Sequence, residues 1–128
     1  MGKKKDCIQC RIKKSDETCK EDDFLRQINS WNAIVNRLYY SCFYVVIALL
    51  LKDNIKIHTH HGALNQFGLQ LIKTKKINLK YGTLYSRLFD FRQKGDYGDM
   101  FDFSENDVLP LIDEVQEFIE EIKKHIWK

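Results

Sequence analysis

Thirteen consecutive residues, Tyr39 to Leu51, carry no charge: Tyr-Tyr-Ser-Cys-Phe-Tyr-Val-Val-Ile-Ala-Leu-Leu-Leu. A membrane span needs about twenty apolar residues, so a run this short with polar flanks must find its cover within the protein. It extends a helical stripe, because Phe24, Ile28, Trp31, Ile34, Val35 and Leu38 recur at helical steps before it. A helix that is apolar nearly all round is a core helix and needs other elements packed about it. One proline and six glycines are little turn punctuation for a sheet protein. The expected fold is therefore all-α, an up-and-down helical bundle of four to five helices with residues 39–51 as its spine.

The rest of the chain supplies the cover. Residues 4–20 read as a polar helix with a narrow stripe of Ile8, Ile12, Ser15 and Cys19. The acidic patch Glu21-Asp22-Asp23 reads as the start of the next helix, where carboxylates suit the helix dipole. Lys52-Asp53-Asn54 ends the spine, and residues 55–59 form a connection. Thr59 fits an N-cap for a third helix carrying Leu64, Phe67, Leu71 and Ile72, and Lys73 to Lys80 read as a basic loop. Tyr81, Leu84, Tyr85, Leu88 and Phe91 give a fourth helix. Gly95 reads as its C-cap, so Arg92, Lys94, Asp96 and Tyr97 are expected at one exposed corner. Ser104 with Asp107 has capping-box spacing, and Val108, Leu111, Ile112, Val115, Phe118, Ile119, Ile122 and Ile126 define a long last helix. Pro110 falls near its start, where proline is tolerated.

At 128 residues the chain is one domain, with a basic N-terminal helix over 1–23. Residues 1–20 hold seven basic and three acidic side chains; residues 105–128 hold seven acids against three lysines. Such ends can attract one another in a dimer or offer the basic end to nucleic acid, but they are most often solvated helix faces. Cys7-x-x-Cys10 supplies two of the four ligands a closed zinc site needs, and no second pair follows. His58, His60 and His61 cluster without a matching carboxylate, so a helix start explains them better than a metal. No metal and no cofactor are expected. With no apolar leader behind the N-terminal lysines and with unpaired cysteines, a cytoplasmic location without membrane contact is expected.

Three segments resemble a known family. Asn36-Arg37-Leu38-Tyr39-Tyr40-Ser41-Cys42-Phe43 is similar to the Arg, Tyr-Tyr and Phe pattern that opens a helix in HEPN domains. His60-His61-Gly62 with Phe67 is similar to their His-x-Gly-x-x-x-x-Phe element, and Leu88 to Tyr97 to their Leu-x-x-x-Arg-x-x-x-Asp-Tyr signature. The order and spacing agree across residues 24–124. The resemblance implies a homodimer and a toxin–antitoxin-like partnership with a small nucleotidyltransferase, which in some pairs adenylylates a tyrosine; Tyr97 stands in that place. It also implies nucleotide or RNA binding by Arg92, Lys94 and Arg37. Many HEPN proteins are metal-independent RNases in which four to six residues separate the motif arginine from a histidine. Here those places hold Tyr97, Gly98 and Asp99. The expected function is an interaction or regulatory module. The alternative is an RNase toxin in which Arg92 works with His60, His61 or Asp96 as the proton-handling group, because Arg itself stays protonated.

Overall fold

A computed structural model describes residues 2–97 and 102–127, with the side chains of residues 94–97 left aside. Its elements are α1 (Gly2–Gln27), α2 (Trp31–Lys52), α3 (His60–Phe67), which runs on as a π-helical turn (Gly68–Ile72), α4 (Leu79–Tyr97) and α5 (Glu105–Ile126). No strand occurs among the described residues, so the architecture is the expected all-α bundle.

Helix α2 is the centre. It packs against α1, α3, α4 and α5. Ile34, Val35, Leu38, Tyr39, Cys42, Val45, Val46, Leu49 and Leu50 on it are all buried. By length and composition α2 is apolar enough to cross a membrane, yet 61% of its most apolar window is buried inside the bundle. From the other side α5 contributes Val108, Leu111, Ile112, Val115, Phe118, Ile119, Ile122 and Ile126, the residues its periodicity predicts. Its capping box is formed: the Ser104 hydroxyl accepts from the Asp107 N–H, and the Ser104 N–H donates to the Asp107 carboxylate. Pro110 is the sixth residue of α5 and exposed.

Helix α1 departs from expectation. It does not stop near Lys20, and the acidic patch does not open the next helix. One helix continues to Gln27 and closes on Asn29, whose φ of 54° lies in the left-handed region. The Ser30 N–H reaches the Leu25 carbonyl (2.9 Å) and the Asn29 N–H reaches that of Arg26 (3.1 Å). Asn54 ends α2 in the same way, with φ 63° and the Ile55 N–H on the Leu50 carbonyl. Asparagine tolerates this conformation because its short side chain adds little strain. The predicted stripe through Phe24 and Ile28 is consequently broken, and both are exposed, at 63% and 57%.

Serines set the approach of α1 to α2. Ser15 and Ser41 are fully buried, and the Ser15 hydroxyl donates to the Ser41 carbonyl (2.8 Å). Asp22 is also buried there, at 5% exposure, and its Oδ1 has no hydrogen-bond partner among the described residues. Burial, and then the neighbouring charges of Asp23 and Glu21, push its carboxyl up to about 7. The folded chain thus holds a proton that the unfolded chain releases near pH 4. Stability should fall as pH rises from about 4 to about 7 and then level off. Asp22→Asn should flatten that slope and raise stability at pH 8 by roughly 1–3 kcal/mol, as read from urea unfolding at pH 5 and pH 8.

Helix α4 also runs further than expected. Its backbone is helical through Gly95 to Tyr97, so Gly95 lies within the last turn and is not the C-cap.

Candidate functional site

The connection after α2 decides where the histidines go. Lys52 and Tyr39 are thirteen residues apart, about 20 Å along the helix. Residues 55–59 form the irregular connection back, with the half-buried Ile55 and Ile57 packed against the core and Thr59 extended. Thr59 then caps α3, its hydroxyl accepting from the Gly62 N–H at 2.8 Å. A Cβ on residue 62 would stand 2.9 Å from that hydroxyl oxygen, so glycine here lets the cap close. The cap turns His60 onto the middle of α2.

His60 lands in an aromatic nest. Its Nδ1 shares a hydrogen bond with the Tyr39 hydroxyl (2.9 Å), and its ring lies 4.3 Å from Phe43 and 5.6 Å from Tyr40, centroid to centroid. Tyr39 is fully buried and stacks on Tyr85 of α4 (6.1 Å). Two helical turns further along α4, Arg92 places its guanidinium 5.4 Å from the Tyr39 ring and 5.5 Å from Tyr40. Arg37 reaches Tyr40 as well, at 5.4 Å. Two guanidiniums therefore share one phenol ring. Arg37 is steadied by the Asn36 side-chain amide and by Glu21 at 3.7 Å.

The electrostatics follow from this crowding. Partial burial and then the positive charge of Arg92 hold His60 below the usual imidazole value, so its ring is neutral at pH 7. Burial, only partly offset by Arg92, raises Tyr39 to well above the ordinary phenol range, so it stays a neutral hydroxyl. Beside the cluster a cleft of about 210 Å³ opens between the start of α2 and the end of α4. Asn32, Asn36, Phe91, Arg92 and Phe103 are among its walls. Asn32 also fixes the chain that leads into α5: its amide donates to Asp102 (3.0 Å) and its carbonyl accepts from the Phe103 N–H (2.8 Å).

The structure thus brings Arg92, His60 and Arg37 together around Tyr39 and Tyr40. Arg92 is half-buried against those rings, not displayed on the exposed corner the sequence suggested. His61 is exposed and contacts Asn65, and its ring lies 6.0 Å from Phe89; His58 is exposed. The side chains of Lys94, Asp96 and Tyr97 lie outside the described residues. Sequence reasoning quoted Tyr39 and Tyr40 as motif residues without giving them a role, and it missed Asn32. The Tyr-Tyr pair was the available signal for the first two; a lone asparagine at a helix start gave none. Among the described residues no three His, Cys, Asp or Glu side chains are grouped so as to hold a metal ion.

Such an assembly stations fixed positive charge and a neutral imidazole around stacked phenols, which suits a phosphate-bearing ligand. Comparison with known proteins agrees in family. The chain is 33% identical to the UPF0332 protein of Thermotoga maritima over 126 residues, 98% of this chain and 96% of the relative. Two Methanocaldococcus jannaschii proteins named as candidate toxins are similar too. One is 27% identical across 90% of this chain and 78% of its own length; the other is 29% identical across 91% and 87%. The HEPN domain pattern matches residues 8–125, taking in most of α1 as well as the three segments that carry Arg37, His60 and Arg92, and the chain belongs to the HEPN domain family.

Proposed function

We propose that this chain is a toxin-like HEPN module that works as a homodimer in the cytoplasm, takes the phosphate of a nucleotide or RNA at Arg92, and is modified on Tyr97 by a nucleotidyltransferase. The observation that carries this reading is the convergence of Arg37 and Arg92 on Tyr40 beside an open cleft. Lys94 follows Arg92 in the sequence and adds a third cation to the signature segment. A second copy is supported by α2 itself, where Tyr40, Phe43, Tyr44, Ile47 and Leu51 remain only partly covered along one stripe. The names of the two archaeal relatives support a toxin-like role. The test is incubation with a minimal nucleotidyltransferase of the kind that pairs with HEPN proteins, and ATP. AMP should appear on Tyr97 and be absent from Tyr97→Phe; failure to co-purify together with no AMP transfer would overturn the partnership.

A second reading, RNase chemistry, is favoured by one observation: His60 from α3 occupies the neighbourhood of Arg92 although the motif histidine is absent. In this reading His60 Nδ1 donates to Tyr39, which leaves Nε2 to take a proton from the attacking 2′-hydroxyl. His60→Gln should then lower RNA cleavage by about 10²- to 10⁴-fold. Because the imidazole titrates below its usual value, wild-type cleavage should stay level through neutrality and decline only below about pH 6.5. An undiminished His60→Gln rate would sink this reading and leave the binding reading standing.

A further inference from the structure

The four cysteines divide into two classes. Cys42 is fully buried and Cys19 largely so, and burial raises both thiols above their ordinary value, which keeps them inert. Cys7 and Cys10 are exposed and free, one turn apart on the unbroken α1 helix. Helical neighbours stand three and four residues away, so Cys7 is flanked by Lys3, Lys4 and Arg11, and Cys10 by Lys13 and Lys14. Asp6 is the one acid among these neighbours. Two thiolates would leave a zinc ion two ligands short, so the pair does not make a closed metal site within one chain.

We propose that Cys7 and Cys10 form a dithiol that reacts with small anionic disulfides, of the class of oxidised glutathione, and closes to a disulfide within one helical turn. The cations gather the anionic reagent. One cysteine sulfur, having lost its proton, attacks a sulfur of the reagent and displaces the first small thiolate. The second cysteine sulfur, also deprotonated, attacks the protein-bound sulfur and releases the other thiolate. The dithiol loses two electrons and two protons, and the small disulfide becomes two thiols. The helix must tighten to permit this. Side chains at i and i+3 have Cβ atoms about 5–6 Å apart, whereas a disulfide holds them at about 3.5–4.5 Å. A local 3₁₀ turn eclipses these positions and closes the gap. Bonds formed under such strain are the readily reduced kind, so the site is reversible.

The experiment treats the full chain with oxidised glutathione, blocks remaining thiols with iodoacetamide, and reads the tryptic peptide Asp6–Arg11 by mass spectrometry. The expected product is lighter by two hydrogens and carries neither label, while the peptides of Cys19 and Cys42 are untouched until the protein is denatured. Cys7→Ser and Cys10→Ser should each trap a lasting glutathione adduct. The pair Lys13→Gln and Lys14→Gln should slow the reaction several-fold with oxidised glutathione and leave it unchanged with the neutral hydroxyethyl disulfide. A lasting adduct on the wild-type chain, a disulfide between chains, or equal labelling of all four cysteines would each overturn the proposal. The Arg92 corner takes no part, so the outcome is independent of the function proposed above.

Discussion

Arg92→Ala should abolish growth arrest by the expressed chain and weaken nucleotide or RNA binding by about 10- to 100-fold, with the bundle still folded. A charge-assisted hydrogen bond to a phosphate contributes about 1.5–3 kcal/mol, which sets that range. Stability should change much less. Among the contacts given up are the cation–π pairs with Tyr39 and Tyr40, each worth about 1 kcal/mol at such a half-buried position. Arg92→Lys should not restore the loss, because an ammonium replaces a planar fork with a point charge. Binding measured by fluorescence anisotropy and melting followed by circular dichroism separate the two effects. Full binding by the alanine variant would remove Arg92 from the site.

The second large effect concerns the core. Phe118 on α5 is fully buried, with its ring 5.9 Å from Phe67, 6.0 Å from Tyr81 and 6.0 Å from Tyr85. It therefore joins α3, α4 and α5 through one side chain. Phe118→Ala should cost about 3–5 kcal/mol, the transfer free energy of the ring plus the void it leaves. For a chain of this size that corresponds to a drop in melting temperature of about 10–20 °C. Phe118→Leu, which fills most of the space, should lose well under half as much. Losses of similar size for the two variants would mean that aromatic contacts, not volume, hold the three helices.

Helices with a strong stripe were legible before any coordinates. The spacing of Val108 to Ile126 and the charge-free run on α2 each admit one physical solution, and Ser104 with Asp107 marks a start that backbone chemistry enforces. Helix α1 was not legible at its end. Asn29 and Asn54 close their helices identically, yet only the second was read, because Glu21-Asp22-Asp23 looked like the favourable start of something new. Tertiary packing allowed the opposite: Asp22 sits mid-helix against α2, and its burial is accommodated by a shifted proton equilibrium. Gly95 was misread for a related reason. A glycine permits a left-handed cap but does not demand one, and α4 passes through it. The meeting of His60 with Arg92 depended on the course of the irregular residues 55–59, which no local pattern encodes.

Tyr39 has the widest consequence. It is buried within the spine of the bundle, yet its hydroxyl holds His60 and its ring lies under Arg92. The candidate site therefore borrows its rigidity from the helices that make the protein fold. Around Tyr39, amide hydrogens should exchange only when the whole molecule opens, and a ligand that tightens the Arg92 corner should protect the interior of α2 by the same increment. In this chain, the candidate site and the folded core are one cooperative unit.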